Sequence, residues 1–309
     1  MSEHAAPATA SADAAPPRVW TDDMVRPFCE RLGIPGLADV HTHFMPDAVM
    51  DKVWGWFDKM RGADGRQLWP ILYRETQDDR VALLRTLGVR RFTSLFYAHK
   101  PGMAQWLNEW GAEFAAAVPE CAQSATFYPE DGVDAYVAEA IESGARVFKV
   151  HLEVGRFDPR EPLLAPVWKR LEAAGAVVVA HAGSGPVPGP FTGPAFFAPI
   201  MELAPELHAV IAHMGGPEYR EFLDLALRYP HTRLDTTMAF TDFMHGMGGS
   251  YPPDCLDRIA AHPERIVLGS DFPNVPHPYA HQLQALERLG FGDDWLRAVC
   301  WTNGAQLLG

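Results

Sequence analysis

From residue 37 onward, short apolar runs alternate with longer amphipathic segments, eight times over. The first run is GLADVHTHF, preceded by the turn Gly33-Ile34-Pro35-Gly36. RRFTSLFYA, AQSATFYP, ARVFKVHLE and AVVVAHAG follow, and then LHAVIAHMGG, HTRLDTTMAF and RIVLGSDFP. AVVVAHAG is almost wholly apolar, as a parallel strand buried on both faces should be. The segments between these runs have helical periodicity. One opens at Thr76 with Asp79 three residues on, a capping-box-like pair, and lines up Val81, Leu84 and Leu87. GMAQWLNEWGAEFAAAV is stopped by Pro119, and VDAYVAEAIESG ends at Gly144. LAPVWKRLEAAG, PEYREFLDLALRY, YAHQLQALERLG and the terminal DDWLRAVCWTNGAQLL complete the set.

Eight strand–helix units in 309 residues predict an α/β fold, a single (β/α)8 TIM barrel over residues 18–309. A doubly wound open sheet is the competing arrangement. It would carry a glycine-rich phosphate turn after its first strand, where this chain has His-Thr-His-Phe-Met-Pro. One stretch interrupts the rhythm. Residues 45–75 are too long for a simple βα loop and contain Trp54, Trp56 and Trp69. This stretch reads as a lid or cap insertion, with Trp54, Trp56 and Phe57 lining an apolar pocket. It fits a hydrophobic cluster or a subunit contact equally well, and a homodimer is compatible with the latter.

Composition narrows the partners. The chain is 48% hydrophobic and 21% charged, with a formal net charge of −13. Its pI near 5.4 argues against a nucleic-acid partner, since phosphate binding needs a basic face. The four cysteines are scattered without a CxxC pair, as expected of reduced thiols in a cytoplasmic protein. Residues 1–17 are Ala/Pro-rich and lack the basic start and apolar centre of a signal peptide, so a flexible tail is expected. No apolar run reaches the roughly 20 residues that span a bilayer, and a membrane partner is not expected.

The polar residues inside the runs carry the chemistry. In a barrel of this kind the active site forms at the C-terminal ends of the strands. Asp39, His41 and His43 are two apart and share a face, as do Lys149 and His151. His181, His213, Asp235 and Asp271 also stand at the ends of their runs, unlike His208 and His231. Taken alone, His41 and His43 fit a polar strand end as well as half of a metal site. If their shared face is the lumen, both can direct a ring nitrogen at one ion about 2 Å away.

Seven pieces occur in the order DVHTHF, WLNEWGAEFAAAVPE, FKVHLE, VVAHAG, VIAHMGG, IVLGSDFP and TNGAQLLG. The ordered set resembles the amidohydrolase superfamily, in the amidohydrolase 2 branch that includes aminocarboxymuconate semialdehyde decarboxylase. The resemblance implies a distorted barrel with one divalent metal, zinc first, with manganese or iron as alternatives. His41, His43, His181 and Asp271 would be its ligands. His213 would polarise or protonate the substrate, and Asp271 would also take a proton from metal-bound water. In binuclear members of the superfamily a carboxylated lysine on strand four bridges two metals. Lys149 occupies that strand here, and it can instead pair with Asp39 or receive a substrate carboxylate. His151 would support the site or touch substrate, and Asp235 would support it by hydrogen bonding. Trp54 and Tyr97, with His99 and Lys100, are further candidate substrate contacts.

The activity expected from this resemblance is hydrolysis of an ester, lactone or amide of a small organic substrate by metal-bound hydroxide. The alternative is non-oxidative decarboxylation of an aromatic or unsaturated carboxylic acid. Several aromatic-acid decarboxylases of the branch begin with Glu-x-His, so His41-Thr42-His43 tilts toward hydrolysis. The muconate semialdehyde enzyme, however, also has His-x-His. A metal-binding scaffold without catalysis is a third reading. The desolvation cost of so many clustered polar residues argues against it.

Overall fold

The computed structural model describes residues 19–62 and 64–309, so the predicted tail lies outside the described residues. Eight strand positions run in chain order. They are β1 (Leu37–Asp39), β2 (Val89–Thr93), β3 in two pieces (Cys121–Ala122 and Ser124–Thr126), β4 (Val147–His151), β5 (Val177–His181), β6 (His208–Ile211), β7 (Arg233–Asp235) and β8 (Ile266–Val267). Every pairing is parallel between neighbours in sequence. The ring closes between its first and last members. Val40 N–H donates to Leu268 O at 2.9 Å, Asp271 N–H to His41 O at 2.8 Å, and Thr42 bridges Phe272 in parallel. Alternating strands and helices in this order are the (β/α)8 barrel.

Strand alternation separates two packing sets. Val177 and Val179 meet Val147, Val210 and Val267 inside the barrel, while Val178 and Ala180 pack outward among the helices. Lys149 lies two residues beyond Val147, and His181 two beyond Val179. Both therefore point inward, above an apolar floor.

Regular strands are shorter than the runs that predicted them. RIVLGSDFP contributes only Ile266–Val267 to the ladder. Side chains explain part of the shortening, because backbone donors beyond the ladder are taken by carboxylates. Asp39 Oδ1 accepts from His41 N and Ser270 N, both at 3.1 Å. Asp235 Oδ1 accepts from His213 N at 2.9 Å and Thr237 N at 3.1 Å.

The helix opened by Thr76 spans Gln77–Leu87, with Thr76 Oγ1 accepting from Asp79 N at 3.3 Å and Gly88 in the left-handed region closing it. The terminal helix is broken by a π-helical turn at Ala298–Thr302. Helices Val25–Leu32 and Pro194–Leu203 stand outside the predicted strand–helix pattern. Within residues 45–75, Asp47–Phe57 is helical, and the segment is fastened to the loop after β8. Trp69 Nε1 donates to Asn274 O at 2.7 Å, Trp54 Nε1 to Asn274 Oδ1 at 3.0 Å, and Leu72 N to Val275 O at 2.9 Å. The buried Arg80 guanidinium lies over the Trp54 and Phe44 rings, at 5.1 and 5.7 Å. All four cysteines are buried free thiols. Among the described residues, no helix is long and apolar enough to cross a membrane.

Candidate metal centre

The centre is built around His41. It is fully buried beyond the end of β1, and its Nδ1 lies 2.8 Å from Asp235 Oδ2 at the end of β7. A carboxylate only accepts, so Nδ1 carries the proton and Nε2 is left with its lone pair directed into the barrel mouth. Burial pushes the His41 imidazole well below its ordinary pKa, and the Lys149 ammonium reinforces the shift. A neutral ring with a free Nε2 is the form that binds a metal.

His43 is set up in the same way. Its Nδ1 donates to Leu95 O at 2.7 Å, which leaves the Nε2 lone pair facing Asp271 Oδ1 at 2.8 Å. The same oxygen lies 3.5 Å from His41 Nε2. Two imidazole lone pairs and a carboxylate converging in this way repel one another unless a cation or a proton lies among them.

His213 and Asp271 both adopt positive φ, 55° and 66°, a costly conformation for residues other than glycine that often accompanies functional sites. It turns His213 over the mouth, where its ring sits 5.0 Å from that of His41 and 4.7 Å from that of His181. Burial holds His213 well below the ordinary histidine range, and so do His181 and His41 nearby. His41, His213 and Asp271 offer donor atoms that all lie within 4.8 Å of one another. Two nitrogens and a carboxylate oxygen at this spacing, with His43 on the same carboxylate, fit a divalent ion of the zinc, manganese or iron type.

The remaining strand-end residues are close by but oriented differently. His181 Nε2 lies 2.8 Å from Gly185 O, so that nitrogen carries a proton and only Nδ1 is free to coordinate. Burial pushes His181 down to about 4, with Lys149 adding to the effect. His151 stacks on His181 at 3.9 Å, and its Nδ1 accepts from Val154 N at 3.3 Å. Tyr97 lies against His151 at 4.9 Å and near His43 at 6.3 Å. Lys149 is fully buried with Nζ 3.3 Å from His41 Nε2, and burial lowers it to about 8.

Asp39 does not join the donors. Its carboxylate faces the seam between β1 and the segment after β8, where Tyr279 Oη donates to Oδ2 at 2.7 Å. Burial raises the Asp39 carboxyl to about 7 against the hydrogen bonds from Ser270 and Tyr279. Lys149 therefore does not pair with Asp39. Trp54 stands at the insertion with its indole N–H committed to Asn274. Leu95 O, Tyr279 and Asn274 all support the centre and were missed from sequence. Only Asn274 carried a signal, its place just after the GSDFP run. His208 and His231 stack on each other at 4.5 Å, apart from the strand-end histidines.

The family model Amidohydro_2, described as amidohydrolase, matches residues 38–309. No curated protein matches the chain. Among solved structures, an uncharacterized TIM-barrel protein from Bordetella bronchiseptica is 17% identical with a TM-score of 0.66, covering 87% of this chain and 98% of that one. A putative 2-pyrone-4,6-dicarboxylic acid hydrolase from Pseudomonas putida is 16% identical, TM-score 0.60, over 89% and 98%. A 5-carboxyvanillate decarboxylase from Novosphingobium aromaticivorans with bound manganese is 13% identical, TM-score 0.61, over 90% and 97%. At these identities the likeness speaks for the fold alone. The family match spans nearly all the described residues, and with it the chain belongs to the amidohydrolase family, in its amidohydrolase 2 branch, and is an enzyme.

Proposed function

We propose that the enzyme hydrolyses an ester, lactone or amide of a small organic substrate, using one divalent ion held by His41, His213 and Asp271 with His43 beside them. The observation that supports this most is the placement of Asp271, whose Oδ1 lies 2.8 Å from His43 Nε2 and 3.5 Å from His41 Nε2. When bound there, such an ion supplies Lewis-acid polarisation and lowers the pKa of a coordinated water toward ~7. Asp271 accepts the proton of the attacking water and returns it to the leaving group. His213 stays neutral near pH 7, and the ring nitrogen that does not hold the ion presents its N–H to the substrate oxygen. Asp235 keeps His41 in its Nδ1–H form throughout. His151 and Tyr97 stand beside these donors, His151 stacked on His181 and Tyr97 near His43. Decarboxylation is the rival reading, because relatives of this fold are named for both chemistries.

The test is a panel of small esters, lactones, amides and aromatic carboxylic acids offered to protein loaded with zinc or manganese. Proton release and carbon dioxide release are followed in parallel. Hydrolysis that falls at least a hundredfold in both His213→Ala and Asp271→Ala supports the reading. Carbon dioxide release without any hydrolysis replaces it with the decarboxylase.

A further inference from the structure

Lys149 is buried inside the barrel with one polar partner for its ammonium, His41 Nε2 at 3.3 Å, and no ion pair among the described residues. Its backbone cannot retreat. Lys149 is in register with Thr126 on β3 and Val179 on β5, and Thr126 Oγ1 donates to its carbonyl at 2.8 Å. Asp235 and Asp271 supply the negative charge that attracts a cation to this place, yet neither approaches to ion-pair distance.

The His41 ring has one lone pair to give. Its Nδ1 proton is committed to Asp235 Oδ2, so Nε2 is its sole acceptor. An ammonium donating into that lone pair and a divalent ion coordinated by it exclude each other. Even after the lysine swings aside, its charge stays close to the ion, in a medium that screens charge far less than water does.

We propose that Lys149 is an internal cation that competes with the metal for His41 Nε2 and so weakens the metal affinity of the centre. The proposal rests on the metal-centre reading above. The other roles open to a lysine here predict a different result. A lysine carboxylated by carbon dioxide would contribute oxygen ligands, so its loss would weaken metal binding. A lysine that only receives a substrate carboxylate would leave metal binding unchanged.

The experiment strips wild-type protein and the Lys149→Met, Lys149→Gln and Lys149→Arg variants with a chelator. Each is then titrated with zinc in competition with a chromophoric chelator. Lys149→Met and Lys149→Gln should bind zinc at least tenfold more tightly than wild type, and Lys149→Arg, which keeps the charge, should not. Affinities within twofold of wild type, or weaker, in the two neutral variants overturn the proposal, as does equal tightening in Lys149→Arg. Where a stripped variant unfolds, it is purified with zinc bound and its rate of zinc loss to excess chelator is measured. Slower loss than wild type supports the proposal, and equal or faster loss overturns it. A wild-type protein that takes up no zinc, manganese or iron would instead overturn the metal-centre reading itself.

Discussion

Replacing Asp235 by asparagine disturbs the centre without removing any ligand. The wild-type carboxylate accepts on both oxygens: Oδ2 from His41 Nδ1 at 2.8 Å, and Oδ1 from His213 N at 2.9 Å and Thr237 N at 3.1 Å. An amide has one oxygen and one NH2 group. If the oxygen stays with the two backbone donors, the NH2 meets the Nδ1–H of His41. The ring can relieve that clash only by moving its proton to Nε2, where the ion binds. If the amide flips, the NH2 faces two buried N–H groups instead. Each donor left without a partner there costs about 1–3 kcal/mol, so the tautomer change is the easier response. Losing the carboxylate that orients a metal-binding histidine lowers metal affinity by about 10- to 100-fold. That corresponds to about 1.4–2.7 kcal/mol. Zinc titration against a competing chelator reads this directly, with circular dichroism to confirm that the fold persists. An Asp235→Asn protein that binds zinc within threefold of wild type would refute the assignment of the His41 tautomer.

Three further outcomes are expected. Protons compete with the ion for neutral imidazoles, and burial holds His41 and His213 well below the ordinary histidine pKa. The competition should therefore set in only at pH values well below 6.5, and equilibrium dialysis showing half the metal lost at pH 6.5 would contradict this. In Gly269→Ala, the new Cβ would press on Thr237 Oγ1 and stand 2.9 Å from His41 Cβ and 3.0 Å from Asp235 Cγ. Zinc affinity should drop tenfold or more although every ligand remains, and an unchanged affinity counts against the packing described. Thr76→Ala removes the N-cap of Gln77–Leu87 and should cost about 1 kcal/mol in chemical denaturation while leaving zinc binding as it was.

Local pattern in the chain determined a good deal. The short apolar runs located all eight strands, and their polar ends nominated His41, His43, Lys149, His151, His181, His213, Asp235 and Asp271. Thr76 and Asp79 marked a helix start three residues in extent, a distance over which sequence alone specifies geometry. Alternation says which face a residue takes, but not which atom it presents or what it meets there. Those outcomes depend on the register of strands far apart in the chain. Asp235 reaches His41 across 194 residues and settles which nitrogen is free, and Lys149 reaches the same ring across 108. Tyr279, 240 residues from Asp39, draws that carboxylate to the seam and away from the donors. Gly185 O takes one nitrogen of His181 from the loop that follows it, while a left-handed backbone turns His213 toward the centre. Closure of the barrel between Val40 and Leu268 brings the first and last strands together, and with them His41, His43 and Asp271. No local pattern encodes that closure, because it depends on all eight strands packing around one apolar core.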